Sequence, residues 1–183
     1  MGTTATLGLP YPEPSDLVTN GAAAIKALAD ALDAEFRPCM MRRGNPNSPV
    51  VNIPNASPST VGWPLLIDSE GSITWLSGSS EIQIDVAGRY DVIAALRFSA
   101  NATGRRAITV YRRDAGGTLF GIADSESAAS ASGLVTVQAT ILGIDLAVGD
   151  KISASAYQDS GALRPLVGNE TSNYLSVVRR SGS

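Results

Sequence analysis

The chain contains no histidine and a single cysteine, Cys39. A Ser-His-Asp or Cys-His arrangement therefore cannot be built, nor a metal site based on histidine or clustered cysteine. One cysteine allows no intrachain disulfide. Aromatic residues make up only 5% of the chain and charged residues 17%. No apolar run has the length of a membrane span and no signal peptide is visible at the start, so the expectation is a non-membrane protein made in a reducing cytoplasm. A net charge of −3 provides no basic field to attract nucleic acid. No Gly-rich phosphate loop occurs, and no cofactor is expected. Paired carboxylates of the kind used in glycoside hydrolysis remain at Asp68/Glu70 and Asp124/Glu126, but both pairs read as solvated acids in Ser/Gly-rich turns. The composition points away from an enzyme.

What is present falls into three regions. Residues 1–14 form an arm in which Pro10, Pro12 and Pro14 forbid helix and favour an extended chain. Leu7, Leu9 and Tyr11 then share one apolar edge, which is the candidate anchoring surface. Residues 15–36 read as a helix. Ser15 can cap it, Asp16 suits the positive end of the dipole, and Asn20-Gly21 weakens its early part. Val18, Ile25 and Leu32 recur every seven residues with Leu28 between, a short coiled-coil seam. Such a helix is marginal alone in water, so a self-associating stalk is the favoured reading over packing on its own domain. Residues 1–36 carry five acids against one base, Lys26, whereas the rest of the chain holds twelve acids and thirteen bases.

Residues 37–183 read as strands. Ile82, Ile84 and Val86 alternate with polar neighbours, and Tyr90 to Phe98 alternates again after a break at Ala87-Gly88. The second of these strands keeps Ile93 and Ala95 on its otherwise polar face, and a strand apolar on both faces expects cover on both. Other candidates are 37–43, 63–67, 73–76, 107–112, 119–123, 135–142, 151–158 and 174–179. Asp124–Gly133 reads as a flexible loop. Many short strands with turn signals between them predict an antiparallel sandwich or jelly roll. Four arginine pairs, at 42–43, 105–106, 112–113 and 179–180, read mainly as strand-end solvation and ion pairing. Trp63, Trp75 and Tyr157 could stack on sugars, although burial is their commoner fate.

Val86-Ala-Gly-Arg-Tyr90 followed by an alternating strand resembles the centre of the complement/tumour-necrosis-factor jelly-roll superfamily, where a Gly-x-Tyr turn joins two such strands. Leu146-Ala-Val-Gly-Asp-Lys-Ile152 is similar to the family's Gly-Asp turn, and Tyr174-Leu-Ser-Val-Val178 to its last strand. The resemblance makes Gly88, Tyr90, Gly149 and Asp150 the family turn residues. Trp63 and Asn101-Ala-Thr-Gly-Arg-Arg106 look like the versions in bacteriophage virion proteins, and residues 9–33 resemble the N-terminal attachment segment of phage tail and fibre proteins. Together these imply a mainly β chain: an antiparallel jelly-roll sandwich preceded by an extended arm and one α-helix, a short trimeric stalk. They imply a homotrimer, with Val18, Ile25, Leu28 and Leu32 on its axis. Residues 1–36 would join another virion protein. The functional expectation is a non-enzymatic short fibre or spike on a phage tail or baseplate, with a host surface polysaccharide as a candidate partner. A head fibre or capsid decoration protein is the alternative, and a free carbohydrate-binding module the alternative from another class. The expected location is the virion, after synthesis in the bacterial cytoplasm.

Overall fold

The computed structural model describes residues 2–3, 10–11, 21–36, 39–45, 51–71, 73–76 and 80–180. The chain divides into two compact units, one ending at Pro38 and one spanning Cys39–Arg180.

In the first unit, β1 (Gly2–Thr3) pairs antiparallel with β2 (Pro10–Tyr11). Both described pieces of the arm are extended, as expected. Helix α1 spans Gly21–Phe36, where an alanine-rich run supplies strong helix formers. β2 lies against it. Ala24 is buried, and Ala27, Leu28, Ala31 and Leu32 are half-buried, along one side of the helix. Lys26 and Asp30 meet at 2.7 Å on an exposed side, a pairing worth only a few tenths of a kcal/mol, roughly.

The second unit is built of strands β3 (Met40–Gly44), β4 (Asn52–Ile53), β5 (Ser59–Thr60), β6 (Leu65–Glu70), β7 (Ile73–Trp75), β8 (Ile82–Ile84), β9 (Gly88–Phe98), β10 (Asn101–Arg113), β11 (Leu119–Ser130), β12 (Val135–Leu146), β13 (Lys151–Gln158), β14 (Arg164–Pro165) and β15 (Tyr174–Arg179). A front sheet runs β12-β9-β15-β3-β6. A back sheet runs β11-β10-β13-β8-β7, with β5 also on β13, and β14 pairs with β4. Neighbours are antiparallel throughout. The chain passes from back to front between β8 and β9, β11 and β12, and β13 and β15, which makes the sandwich a jelly roll.

The alternation read in the sequence decides which face is inside. Tyr90, Val92, Ala94, Leu96 and Phe98 of β9 meet Ile108 and Val110 of β10, Ile152, Ala154 and Ala156 of β13, and Leu175 and Val177 of β15 in one buried cluster. At roughly 1.5–3 kcal/mol for each large aliphatic or aromatic side chain buried, this cluster is the main source of the unit's stability. β12 keeps register with β9 except at Leu142-Gly143, where the pairing skips between Ile141 and Ile144. Gly143 takes φ 68° there, a value a side chain disfavours. Its N–H donates to Asp91 Oδ1 at 2.8 Å, so the bulge is pinned to β9.

Three segments differ from the sequence expectation. The Asp124–Gly133 loop is largely strand, since β11 runs on to Ser130. Residues 101–106 open β10 rather than precede it. Both carboxylate pairs placed in turns lie in strands, Asp68/Glu70 in β6 and Asp124/Glu126 in β11. Asp68/Glu70 are strand because β6 pairs with β3, and the other departures come from the long β10–β11 hairpin, whose register pairs Arg105 with Ala128 and Asn101 with Ser130. There the backbone ladder supplies the order, and polar side chains hide the pattern.

Candidate functional site

The turn residues singled out by sequence serve the fold. Tyr90 is wholly buried and donates its hydroxyl to the Val86 carbonyl at 2.5 Å, closing the β8–β9 turn. Burial, and then the hydrogen bond with the Cys39 thiol, push its pKa well above the ordinary tyrosine value. Gly88 leaves room for Arg179, whose Nε would lie 2.7 Å from an added Cβ. Gly149 has φ 88°. It donates to the Ile84 carbonyl, and Asp150 returns a carbonyl to the Ile84 N–H, both at 2.8 Å. The Asp150 carboxylate, 1% exposed, accepts the Ala147 N–H at 2.8 Å. It also forms an ion pair with Arg112 at 2.9 Å, too oblique for an N–H hydrogen bond. These residues lock turns and offer nothing outward.

The candidate assembly surfaces are different. Of the seam residues, Val18 lies outside the described residues, as do the anchoring residues Leu7 and Leu9; Tyr11 is placed only as the end of β2. Ile25 is 67% exposed, with Leu28 and Leu32 half-buried. Among the described helix side chains the most buried is Ala24, about 100° around the helix from Ile25. The seam thus sits at the margin of the face already covered by the N-terminal unit.

On the β unit, the edge strand β6 is exposed at every position, including the consecutive apolar residues Leu65, Leu66 and Ile67. The outer face of the front sheet sets Ile93 between Ser176 and Thr140, and Ala95 between Tyr174 and Gln138. Ala95 is only 3% exposed, so the sheet's own side chains already provide part of the cover that its apolar outer face demands. Arg42 stacks over Tyr174 at 4.3 Å from the ring centre.

Most of the arginines are committed within the chain. Arg105 pairs with Glu126 at 2.7 Å, Arg113 with Glu81 at 2.8 Å and Arg180 with Asp91 at 2.7 Å. Arg43 donates to the Trp63 and Pro64 carbonyls and stacks on Trp75 at 4.2 Å. Burial lowers its pKa, and that of Arg106. The two tryptophans are therefore not sugar platforms: Trp63 is in the core and Trp75 has Arg43 on its face. Tyr157 does reach the surface, in a cleft on the back sheet. Among the described residues no group of three or more His, Cys, Asp and Glu is placed to hold a metal ion, and no helix is long and apolar enough to cross a membrane.

No protein-family model and no curated protein matches the sequence. The fold does match solved structures. Murine APRIL at pH 5.0 superposes with a TM-score of 0.62 at 12% identity, over 79% of this chain and 100% of that one. Eiger TNF from S. frugiperda gives 0.61 at 12% identity, over 80% of this chain and 95% of that one. Murine APRIL at pH 8.0 gives 0.61 at 14% identity, over 79% and 100%. At such identities the likeness is one of fold: this chain carries a TNF-like antiparallel jelly roll alongside a single helix.

Proposed function

We propose that the chain is a non-enzymatic, homotrimeric structural protein of a bacteriophage particle, a short fibre or spike on the tail or baseplate. Its arm and helix attach to the particle and its jelly roll faces outward. The observation that carries self-association is β6, an edge strand with three consecutive exposed apolar residues. Isolated soluble domains blunt such edges with charge, proline or cover. The placement on a virion rests on the resemblance of residues 9–33 to phage attachment segments.

Magnitudes say that β6 cannot act alone. Covering the exposed part of Leu65, Leu66 and Ile67 is worth about 2–3 kcal/mol per protomer, against an association cost of about 4–15 kcal/mol. Ile25, two-thirds exposed, adds about 1–2 kcal/mol on burial. The helix seam and the outer face of the front sheet must therefore contribute together.

Deletion of residues 1–14 tests the attachment. The truncated protein is expected to keep its melting temperature and oligomeric mass and to be missing from purified particles. Normal incorporation would place attachment elsewhere. Reconstruction of particles carrying the full-length chain separates the tail reading from a head fibre or decoration protein, and density on neither would remove the virion reading.

A further inference from the structure

The outer face of the back sheet carries a cleft of about 430 Å³. A second of about 210 Å³ continues it, the two sharing Pro58, Tyr111 and Ser155. Strand register builds the floor. Asp124, Thr109 and Ser155 stand abreast on β11, β10 and β13. One step along the strands Tyr111 lies opposite Ser153, and one step the other way Tyr157 lies opposite Ala107, with Glu126 beyond. Short side chains make a trough, and a tyrosine stands at each end. Four residues of strand separate the two tyrosine rows, about 13 Å.

The polar groups in this trough are unspent. Ser153 and Ser155 are 7% and 8% exposed. They line the cleft, yet their hydroxyls have no hydrogen-bond partner among the described residues, and neither do Thr109 Oγ1 or the Asp124 carboxylate. These groups open on the cleft and are available to a ligand there. The nearby charges are already matched, with Arg105 held by Glu126 at 2.7 Å and lying 5.1 Å over the Tyr157 ring. Arg113 is held by Glu81 at the far end. Asp124 is left as one uncompensated negative charge.

These features select a ligand class. A negative surplus disfavours phosphate, sulfate and uronate groups. β10 and β13 lie within the sheet and β11 is its edge, so an added peptide strand would pair beyond β11 rather than on the cleft floor. Hydroxyls and a carboxylate between two aromatic faces suit a ligand with many hydroxyl donors and apolar C–H faces. We propose that this cleft binds a neutral oligosaccharide. A ring face rests against Tyr111, and Tyr157, with Arg105 over its ring, closes the other end of the trough. Its hydroxyls donate to Asp124 and exchange hydrogen bonds with Thr109, Ser153 and Ser155. The assignment stands on the cleft and not on a virion role: a failure of glycan binding leaves the oligomer and its particle location untouched, and the reverse also holds.

The test titrates the full-length protein with maltotetraose, cellotetraose, mannotetraose and chitotetraose, with tetragalacturonate as the anionic comparison. Calorimetry gives affinity, and backbone amide NMR shifts locate the site. The expected result is saturable binding of a neutral sugar with shifts confined to β10, β11 and β13, and weaker or no binding of tetragalacturonate. Asp124→Asn and Tyr111→Ala should each weaken binding about ten-fold or more, the worth of a lost hydrogen bond to a charged group or of an aromatic contact. Asp124 is exposed, so its variant should keep the parent melting temperature and remain informative if Tyr111→Ala folds poorly. No saturable binding by any neutral sugar, tighter binding of tetragalacturonate, or undiminished binding by a folded Asp124→Asn would each overturn the assignment.

Discussion

Gln158 is a wholly buried amide at the end of β13, and replacing it tests whether this corner is held together by polar contacts. Its Nε2 donates to the Ile53 carbonyl at 3.0 Å and to the Ala162 carbonyl at 2.8 Å. Its Oε1 accepts from Ser160 N at 2.8 Å and from Ser160 Oγ at 2.6 Å. One side chain thus ties β4 to the loop after β13. Gln158→Met keeps the length and much of the volume while removing all four contacts. Ser160 and Ala162 are reachable by water, so those bonds are worth about 0.5 kcal/mol each. Ile53 is 1% exposed, and its carbonyl loses a donor where water reaches poorly, at about 1–3 kcal/mol. The sum is about 2.5–4.5 kcal/mol, a large part of the ~5–15 kcal/mol that holds a domain together. Urea denaturation should show the midpoint falling with the slope unchanged, and the melting temperature should fall by roughly 5–15 °C. Ser132→Met, at an exposed turn site after β11, is the control and should cost about 0.5 kcal/mol or less. Equal effects of the two substitutions would refute the reasoning.

Other outcomes follow from single contacts. Ala56 has φ 53°, which costs a non-glycine residue about 1–2 kcal/mol, so Ala56→Gly should be neutral or stabilising by about 0.5–1 kcal/mol after the entropic loss; a clear destabilisation in urea would contradict this. Asp91 Oδ1 accepts from Arg180 Nε at 2.7 Å and Gly143 N at 2.8 Å, and the Arg180 hydrogen bond is the largest cause holding its carboxyl below the ordinary aspartate value. A depressed carboxyl stabilises the fold above its unfolded pKa of about 4 and loses that contribution as pH falls through the folded value. The melting-temperature gap between the parent and Asp91→Asn should therefore be present at neutral pH and close in acid, and a gap independent of pH would count against the contact. Leu28→Asp, on the proposed seam, should shift the assembly toward smaller species in sedimentation velocity, whereas an unchanged distribution would take the helix off the axis.

How much of this was legible in the sequence depends on where each strand sits. β13 and β15 run over the expected residues, Lys151–Gln158 and Tyr174–Arg179. Each lies inside a sheet, where one buried face enforces alternation. The outer half of the β10–β11 hairpin was hidden. Residues such as Ser125, Ser127 and Ala128 have weak strand preference, and only the pairing with Arg105, Arg106 and Ile108 makes them strand. In the arm the prolines specify local extension and say nothing about whether two extended pieces pair, as β1 and β2 do. The turn motifs at Gly88-x-Tyr90 and Gly149-Asp150 were legible because each needs a particular residue, a glycine for close approach or a buried acid for a turn N–H. The cleft was not legible at all. Thr109, Asp124 and Ser155 are ordinary members of the polar side of three strands, and only register sets them in one row. Tyr157 reads as a candidate sugar platform and Asp124/Glu126 as a carboxylate pair, but nothing in the sequence joins them, and Tyr111 has no signal beyond strand alternation.

Static light scattering of the purified full-length protein at micromolar concentration tests the central proposal most directly. A mass three times that of the 18.9 kDa chain, persisting on dilution and lost in Leu28→Asp, is the predicted result. A monomer mass at that concentration would contradict it, leaving the exposed β6 edge and Ile25 without the partner copies that the account assigns to them.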